Sequence, residues 1–149
     1  MTEIKRILLA EDNAKDVELT LAALDENNLA NEVIVVRDGA EALDYLYRRG
    51  KYQSRGDANP AVMLLDIKMP KVDGIEVLRQ LKGDENFKAL PIVMLTSSRE
   101  ESDLIHSYNL GVNAYVVKPV NFQSFVKAVR ELGVFWALVN EPPVGSAKK

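Results

Sequence analysis

The chain has 149 residues, 47% hydrophobic and 28% charged, which predicts one ordinary globular domain whose core needs no disulfide or metal to hold it. The absence of cysteine excludes a disulfide framework, a thiol nucleophile and a thiolate metal site. The net charge of −3 offers no basic surface for nucleic acid, and no stretch reaches the roughly 20 apolar residues of a membrane span. We therefore expect a cytoplasmic protein that binds neither nucleic acid nor membrane directly.

Apolar runs of strand length alternate with amphipathic segments of helix length, a rhythm typical of βα units around a parallel sheet. This rhythm predicts an α/β fold. In chain order the predicted elements are strand Ile4–Ala10, helix Ala14–Glu26, strand Glu32–Val36, helix Ala40–Arg49, strand Ala61–Asp66, helix Gly74–Lys82, strand Pro91–Thr96, helix Glu100–Asn109, strand Val112–Val117 and helix Asn121–Val139.

Local signals set several boundaries of these elements. Asp38 is placed to cap the second helix, and Gly50 is expected to end it. The polar segment Lys51–Pro60 is predicted to be a loop. Prolines prevent the last helix from continuing, so we expect one folded domain over residues 1–140, with an extended last helix, and a flexible tail over 141–149.

Polar residues follow the apolar runs at four predicted strand ends. The first strand is followed by Glu11 and Asp12, the third ends in Asp66, the fourth ends in Thr96, and Lys118 follows the fifth. Ligands of parallel α/β sheets bind at the carboxyl ends of the strands, so these side chains are expected to meet. Taken singly, an acid after a strand is more often a helix cap and a lysine is usually solvated. Four strand ends together favour a functional site.

Three carboxylates within about 5 Å of one another would repel by roughly 3 kcal/mol per pair at an effective dielectric near 20. Such a cluster requires a cation or raised pKa values, and hard oxygen ligands suit Mg²⁺. A carboxylate beside that metal can attack phosphorus and form an aspartyl phosphate, while an ammonium offsets charge on the phosphoryl oxygens. Lys118 is the natural ammonium for this role.

At these residues the sequence resembles the response-regulator receiver family, from Ile4 to about Leu132. The resemblance implies a doubly wound, flavodoxin-like fold with a five-stranded parallel sheet of order 2-1-3-4-5. The blocks that carry it are Ile7–Asn13, Asp38–Leu43, Leu64–Gly74, Pro91–Ser97 and Gly111–Pro119.

The resemblance also implies roles for individual residues. Asp66 accepts the phosphoryl group, and Lys118 pairs with that group. The implied Mg²⁺ ligands are the carboxylates of Glu11, Asp12 and Asp66 with the backbone carbonyl of Lys68.

A second set of implied roles concerns the response to phosphorylation. Thr96 and Tyr115 form a switch pair, in which the hydroxyl moves toward the phosphoryl oxygens and the aromatic ring turns into the vacated space. Ser97 leaves room for the phosphoryl group, and Pro119 follows a cis peptide bond. The alternative for Tyr115 is a purely structural plug at the strand end.

The implied function is that of a single-domain response regulator, which takes its phosphoryl group from a sensor histidine kinase. It is a phosphoacceptor switch and not an enzyme, beyond its own phosphoryl transfer and slow dephosphorylation. Since only the tail follows the last helix, the signal is expected to leave through a partner surface or a change of oligomer. The extension Lys51–Pro60 and the apolar run Val134–Val139 resemble the stand-alone regulators paired with bacterial phytochrome histidine kinases.

Two other functional classes share some of these features. A phosphatase of the haloacid-dehalogenase kind also forms an aspartyl phosphate with Mg²⁺, but it needs its nucleophile and a second Asp two residues later on the first strand. Here the first strand is followed by Glu11 and Asp12, and Lys68 stands two residues after Asp66. A binding scaffold that accepts no phosphoryl group would lack one of the site residues named above, and none is missing.

Apolar residues near the C-terminus predict a homodimer. Phe135, Trp136, Leu138 and Val139 continue past the residues that suffice to seal the last helix onto the sheet. Neighbouring residues lie about 100° apart on a helix, so Phe135 and Trp136 cannot both face one core. Exposed aromatic residues are typical anchors of interfaces. The alternative is that the helix end folds back over its own domain.

Overall fold

A computed structural model describes residues 6–25, 32–56, 59–97 and 114–131. The strands are β1 (Arg6–Ala10), β2 (Glu32–Val36), β3 (Val62–Asp66), β4 (Ile92–Thr96) and β5 (Tyr115–Val117). The helices are α1 (Ala14–Asp25), α2 (Gly39–Tyr47), α3 (Gly74–Lys82) and α4 (Phe122–Glu131), with a short 3-10 helix at Gly50–Tyr52. The strands form a parallel sheet of order β2-β1-β3-β4-β5, which confirms the predicted doubly wound fold.

The core lies on both faces of this sheet. Every residue of β3 and β4 is buried, as expected for central strands whose two faces are both covered. Alternate strand residues face opposite sides, so Leu8 packs in the cluster that contains α2 and α3. Leu9 packs in the cluster with Val17 of α1 and Phe125 of α4. The strand order reverses between β1 and β3, and this reversal opens a crevice at their carboxyl ends.

The start of α2 agrees with the sequence prediction, whereas its end does not. Asp38 caps the helix by accepting a hydrogen bond from the Glu41 backbone N–H at 2.7 Å. The sequence predicts a helix that runs to Arg49 and ends at Gly50, but the helix ends at Tyr47, and Arg48 follows it in the left-handed conformation with φ 57°. The helix therefore closes before the glycine that was expected to end it.

Contacts from the following extension explain this early end. The Arg48 Nε donates to the Arg55 carbonyl at 3.2 Å, and the Arg55 guanidinium lies 4.0 Å from the centre of the Tyr45 ring. Tyr52 donates its hydroxyl to Glu41 at 2.7 Å. The described part of this extension, for which the sequence predicts a loop, thus packs against α2, and this packing outweighs the local preference for glycine at the helix end.

Several predictions fall outside the described residues. These are the helix Glu100–Asn109, the first two residues of the strand Val112–Val117, and the interface residues Phe135, Trp136, Leu138 and Val139. The division into a domain over 1–140 and a tail over 141–149 is also untested there. Among the described residues, no helix is both long enough and apolar enough to cross a membrane.

Candidate functional site

The crevice at the carboxyl ends of the strands is a polar cleft of about 230 Å³. It contains the side chains that the sequence predicted would meet, and Tyr115 is not among its lining residues. The predicted residues that line it are Glu11, Asp12, Asp66, Lys68, Thr96, Ser97 and Lys118.

Three carboxylates meet in this cleft. Glu11, Asp12 and Asp66 each offer an oxygen, and these oxygens all lie within 4.8 Å of one another. The sheet register explains the meeting, because Ala10 at the end of β1 pairs with Leu65 of β3 and places the following acids side by side. Glu11 and Asp66 are buried, whereas Asp12 is exposed. A cluster of carboxylate oxygens that is open on one side fits a hard divalent cation, which binds oxygen ligands and keeps some of its water.

A glycine lets α3 approach this cluster closely. A Cβ at Gly74 would lie 2.1 Å from the backbone oxygen of Asp66, so no other residue fits there without a backbone shift. The Gly74 N–H donates to the Ile67 carbonyl at 2.7 Å, and Asp73 caps α3 by accepting from Glu76 N–H at 3.0 Å. The loop that follows Asp66 is therefore fixed at both ends.

The ammonium group of Lys118 supplies positive charge to the site. Its Nζ lies 3.3 Å from Glu11 Oε1, 3.3 Å from Asp66 Oδ2 and 3.2 Å from Asp16 Oδ2. The Lys118 backbone N–H donates to the Thr96 carbonyl at 2.8 Å, and the Lys118–Pro119 peptide bond is cis, as predicted. Burial opposes the charged form, but the neighbouring Asp66 and Glu11 outweigh it and raise the Lys118 pKa. Lys118 is therefore an ammonium at neutral pH.

The surroundings of Asp66 favour its protonated form when no metal is bound. Burial and the nearby Glu11 carboxylate raise the pKa of Asp66 to about 7, although the Lys118 ammonium acts in the opposite direction. Burial is the larger of these two causes, and the Lys118 ammonium does not compensate for both of them together. A divalent cation among these oxygens would favour the ionised form of Asp66, so the residues present fit such an ion.

The two proposed switch residues lie on neighbouring strands. Thr96 ends β4 and is fully buried, and Tyr115 begins β5 and is half-buried against the core. In the register of these strands, Met94 is opposite Tyr115 and Thr96 is opposite Val117. The strands therefore place Tyr115 two residues back from the cleft. Exchange of the two side chains on phosphorylation stays a prediction.

Asp16 is an acid of the site that the sequence does not predict. It lies in the first turn of α1 and its carboxylate contacts Lys118. The available signal was its position three residues after Asn13, which caps α1 by accepting from the Asp16 N–H at 2.9 Å. An acid in a first helical turn is ordinarily attributed to the helix dipole.

The chain is similar to several known proteins. Two solved bacteriophytochrome response regulators, RtBRR and AtBRR, are each 61% identical to this chain. RtBRR matches over 97% of this chain and 87% of its own with a TM-score of 0.84, and AtBRR over 94% and 100% with a TM-score of 0.87. The response regulator Rcp1 from Synechocystis sp. is 39% identical over 132 residues, 89% of this chain and 88% of that protein.

The Mn²⁺-bound form of Rcp1 has also been solved; it is 37% identical, covers 94% of this chain and 99% of its own, and has a TM-score of 0.72. The family model of the response regulator receiver domain matches residues 7–130. This range contains all the described strands, except that β1 begins one residue earlier, at Arg6. The match also includes all the acids of the cleft and Lys118. The chain belongs to the response regulator receiver family.

Proposed function

We propose that this protein accepts a phosphoryl group on Asp66 from a phosphohistidine of a sensor histidine kinase, with Mg²⁺ as its metal. The observation that carries the proposal is the buried Asp66 carboxylate, which lies 3.3 Å from the Lys118 ammonium and within 4.8 Å of two further acids. Such a carboxylate is accessible from the cleft and is surrounded by the groups that phosphoryl transfer requires.

The metal would be held by the carboxylates of Glu11, Asp12 and Asp66 and by the backbone carbonyl of Lys68. Lys68 lines the same cleft, and the Mn²⁺-bound form of Rcp1 supports the proposal that this similar chain also binds a divalent ion. When bound, Mg²⁺ supplies positive charge that stabilises the phosphoryl oxygens during transfer. The small set of acids and the open side of the cluster favour Mg²⁺, which retains several waters, over an ion that needs a full protein cage.

The chain's own residues perform the remaining steps. An Asp66 oxygen attacks phosphorus, the bond between phosphorus and the donor's imidazole nitrogen breaks, and its electron pair returns to the imidazole. Lys118 donates an N–H to the phosphoryl group from its present position beside Asp66. The Thr96 hydroxyl then turns toward the phosphoryl oxygens and Tyr115 turns inward, which changes the surface near β5.

The wider role follows from the relatives. Because RtBRR and AtBRR are bacteriophytochrome response regulators, we propose that a phytochrome-type histidine kinase is the phosphoryl donor of this protein. We propose a cytoplasmic single-domain regulator with its receiver in residues 1–140 and a tail over 141–149. It transfers its own phosphoryl group and loses it slowly, without turning over a substrate. Neither nucleic acid nor membrane is a proposed partner.

Incubation with acetyl phosphate and Mg²⁺ tests this proposal. Because Asp66 is the one proposed acceptor, we expect intact-mass measurement to show one added phosphoryl group per chain, sensitive to hydroxylamine as an acyl phosphate is. Chelation of the metal is expected to prevent the addition. A protein that hydrolyses many equivalents of acetyl phosphate would be a phosphatase, and one that gains no phosphoryl group would be a scaffold. Either result would contradict the proposal.

We also propose a homodimer that buries Phe135, Trp136, Leu138 and Val139, on the sequence grounds given above. In sedimentation equilibrium at tens of micromolar we expect a dimer for the wild type and a monomer for the Phe135→Ala/Trp136→Ala variant. Leu19→Ala is the control, because Leu19 is an exposed large hydrophobic residue elsewhere, on α1. A wild-type monomer would contradict the proposal, and a dimer that persists in the double variant would place the interface elsewhere.

A further inference from the structure

Asp16 contacts Lys118 as closely as the two acids with assigned roles do. Its Oδ2 is 3.2 Å from Lys118 Nζ, against 3.3 Å for both Glu11 and Asp66. A lysine ammonium has three N–H donors and no acceptor, so the three carboxylates match its donors one for one. Asp66 is the proposed phosphoacceptor and Glu11 a proposed metal ligand, whereas Asp16 has neither role.

Helix capping does not account for the direction of the Asp16 side chain. In a capping box, the acid at this position reaches back to the backbone N–H of the capping residue. Here that N–H, from Asn13, donates instead to Glu11 Oε2 at 3.2 Å. The Asn13 side chain accepts from the Asp16 N–H, so the start of α1 is satisfied without the Asp16 carboxylate. That carboxylate is directed to Lys118.

We propose that Asp16 is a positioning residue, which holds the Lys118 ammonium from the α1 side so that another of its N–H groups faces Asp66. The proposal rests on the proposed phosphoryl transfer. A lysine has a flexible four-carbon stem, and a precise donor position requires that the ammonium be fixed by more than the acceptor it serves. The incoming phosphoryl group uses the N–H that faces Asp66. The N–H bonded to Asp16 is a different one, so this contact can persist throughout the transfer.

The Asp16 carboxylate can affect phosphorylation in two ways, by positioning Lys118 and by its negative charge, and the loss of each has the opposite effect. The Asp16 carboxylate adds negative charge near the place of a dianionic phosphodonor, so loss of charge alone would strengthen donor binding. Loss of the hydrogen bond would instead lower the limiting rate of transfer. Asp16→Asn removes the charge and keeps an acceptor oxygen, whereas Asp16→Ala removes both. The pair of variants therefore separates the two effects.

The experiment measures Asp66 phosphorylation by acetyl phosphate with saturating Mg²⁺, as a limiting rate and a half-saturating donor concentration. We expect Asp16→Ala to lower the limiting rate about tenfold without raising the half-saturating concentration. We expect Asp16→Asn to stay within about threefold of wild type in the limiting rate. Glu18→Ala and Glu18→Gln are matched controls, because Glu18 is an exposed acid on the same helix, and both are expected to behave as wild type.

A second readout is independent of phosphorylation. The ¹⁵N resonance of the Lys118 ammonium, assigned by its loss in Lys118→Arg, reports whether the ammonium is held. We expect the resonance to shift and broaden in Asp16→Ala and to remain sharp in Asp16→Asn. Should Asp16→Ala fail to fold, Asp16→Ser takes its place, since its shorter side chain cannot reach Lys118 from the same backbone position.

Two outcomes would overturn the proposal. A wild-type limiting rate in Asp16→Ala would show that the contact does not position Lys118. Equal losses of the limiting rate in Asp16→Ala and Asp16→Asn, with the Lys118 resonance unchanged in both, would show that Asp16 contributes charge and not position. If the wild type accepts no phosphoryl group, the proposed function fails, and the ammonium resonance still decides whether Asp16 holds Lys118.

Discussion

Asp66→Asn is expected to give a folded protein that gains no phosphoryl group from acetyl phosphate and Mg²⁺. The amide has nearly the shape of the carboxylate but is not a nucleophile toward phosphorus. Lys118 would keep its contacts with Glu11 and Asp16, so its position does not depend on Asp66 alone. Intact-mass measurement checks the expected absence of modification.

Asp25→Asn is the control, because Asp25 is an exposed carboxylate at the end of α1, outside the cleft, and this variant is expected to be phosphorylated as wild type is. An Asp66→Asn protein that gains a phosphoryl group, mapped to another residue of the chain, would contradict the assignment of the acceptor.

The pH dependence of stability gives the same variant a second readout. The pKa of Asp66 is raised to about 7 from an ordinary value of 3.8, so the folded metal-free protein favours the protonated carboxyl. This contribution to stability is fully present below about pH 4 and is lost as the pH rises through about 7. Asp66→Asn carries no titrating group there. We therefore expect it to melt at a higher temperature than wild type at pH 8 without metal.

The difference between the two proteins is expected to narrow at pH 5, where Asp66 is protonated, and on addition of Mg²⁺ at pH 8. Taking the difference cancels the pH dependence of the groups that do not contact Asp66, because both proteins share it. Equal melting temperatures at pH 8 in the absence of metal would show that the Asp66 pKa is not raised by its surroundings.

Much of the site was predictable from the sequence, because parallel strands place their carboxyl ends at one edge. Once Glu11, Asp12 and Asp66 were assigned to the ends of the first and third strands, their proximity followed from the fold. Lys118 followed in the same way from the fifth strand. The prediction needed the resemblance to supply the strand order, since an alternation of strands and helices does not specify which strands are neighbours.

The parts that were missed depend on tertiary contacts with no local signal. Asp16 is an ordinary first-turn acid by sequence, and only the approach of Lys118 from β5 gives it a second partner. Likewise, a glycine at position 50 predicts a helix end, but Arg48 ends α2 earlier because it bonds to the extension. Sequence patterns describe one element at a time, and both residues act between elements.

Asp12→Ala is expected to weaken Mg²⁺ binding by roughly a hundredfold or more, because it removes one of the proposed acidic ligands. The rest of the cleft should stay in place. Lys118 bonds to Glu11, Asp16 and Asp66, so its contacts do not require Asp12. Calorimetric titration of the metal-free protein with Mg²⁺ measures the change, and phosphorylation by acetyl phosphate is expected to fall with it at a fixed Mg²⁺ concentration.

The same substitution is expected to stabilise the metal-free protein. The Asp12 oxygen lies within 4.8 Å of oxygens of Glu11 and Asp66, and its removal relieves repulsion between like charges. Because Asp12 is exposed, solvent screens much of that repulsion, and we expect a gain of about 1 kcal/mol, or roughly 3 °C in Tm.

Glu18→Ala is the control that separates the loss of a carboxylate from the acid cluster from the loss of any negative charge, since it removes an equal charge from an exposed position on α1. It is expected to leave both Mg²⁺ affinity and Tm unchanged. Wild-type Mg²⁺ affinity in Asp12→Ala would place the metal away from this residue. A lower metal-free Tm in Asp12→Ala than in wild type would show that Asp12 stabilises the fold without metal and would contradict the expected relief of repulsion.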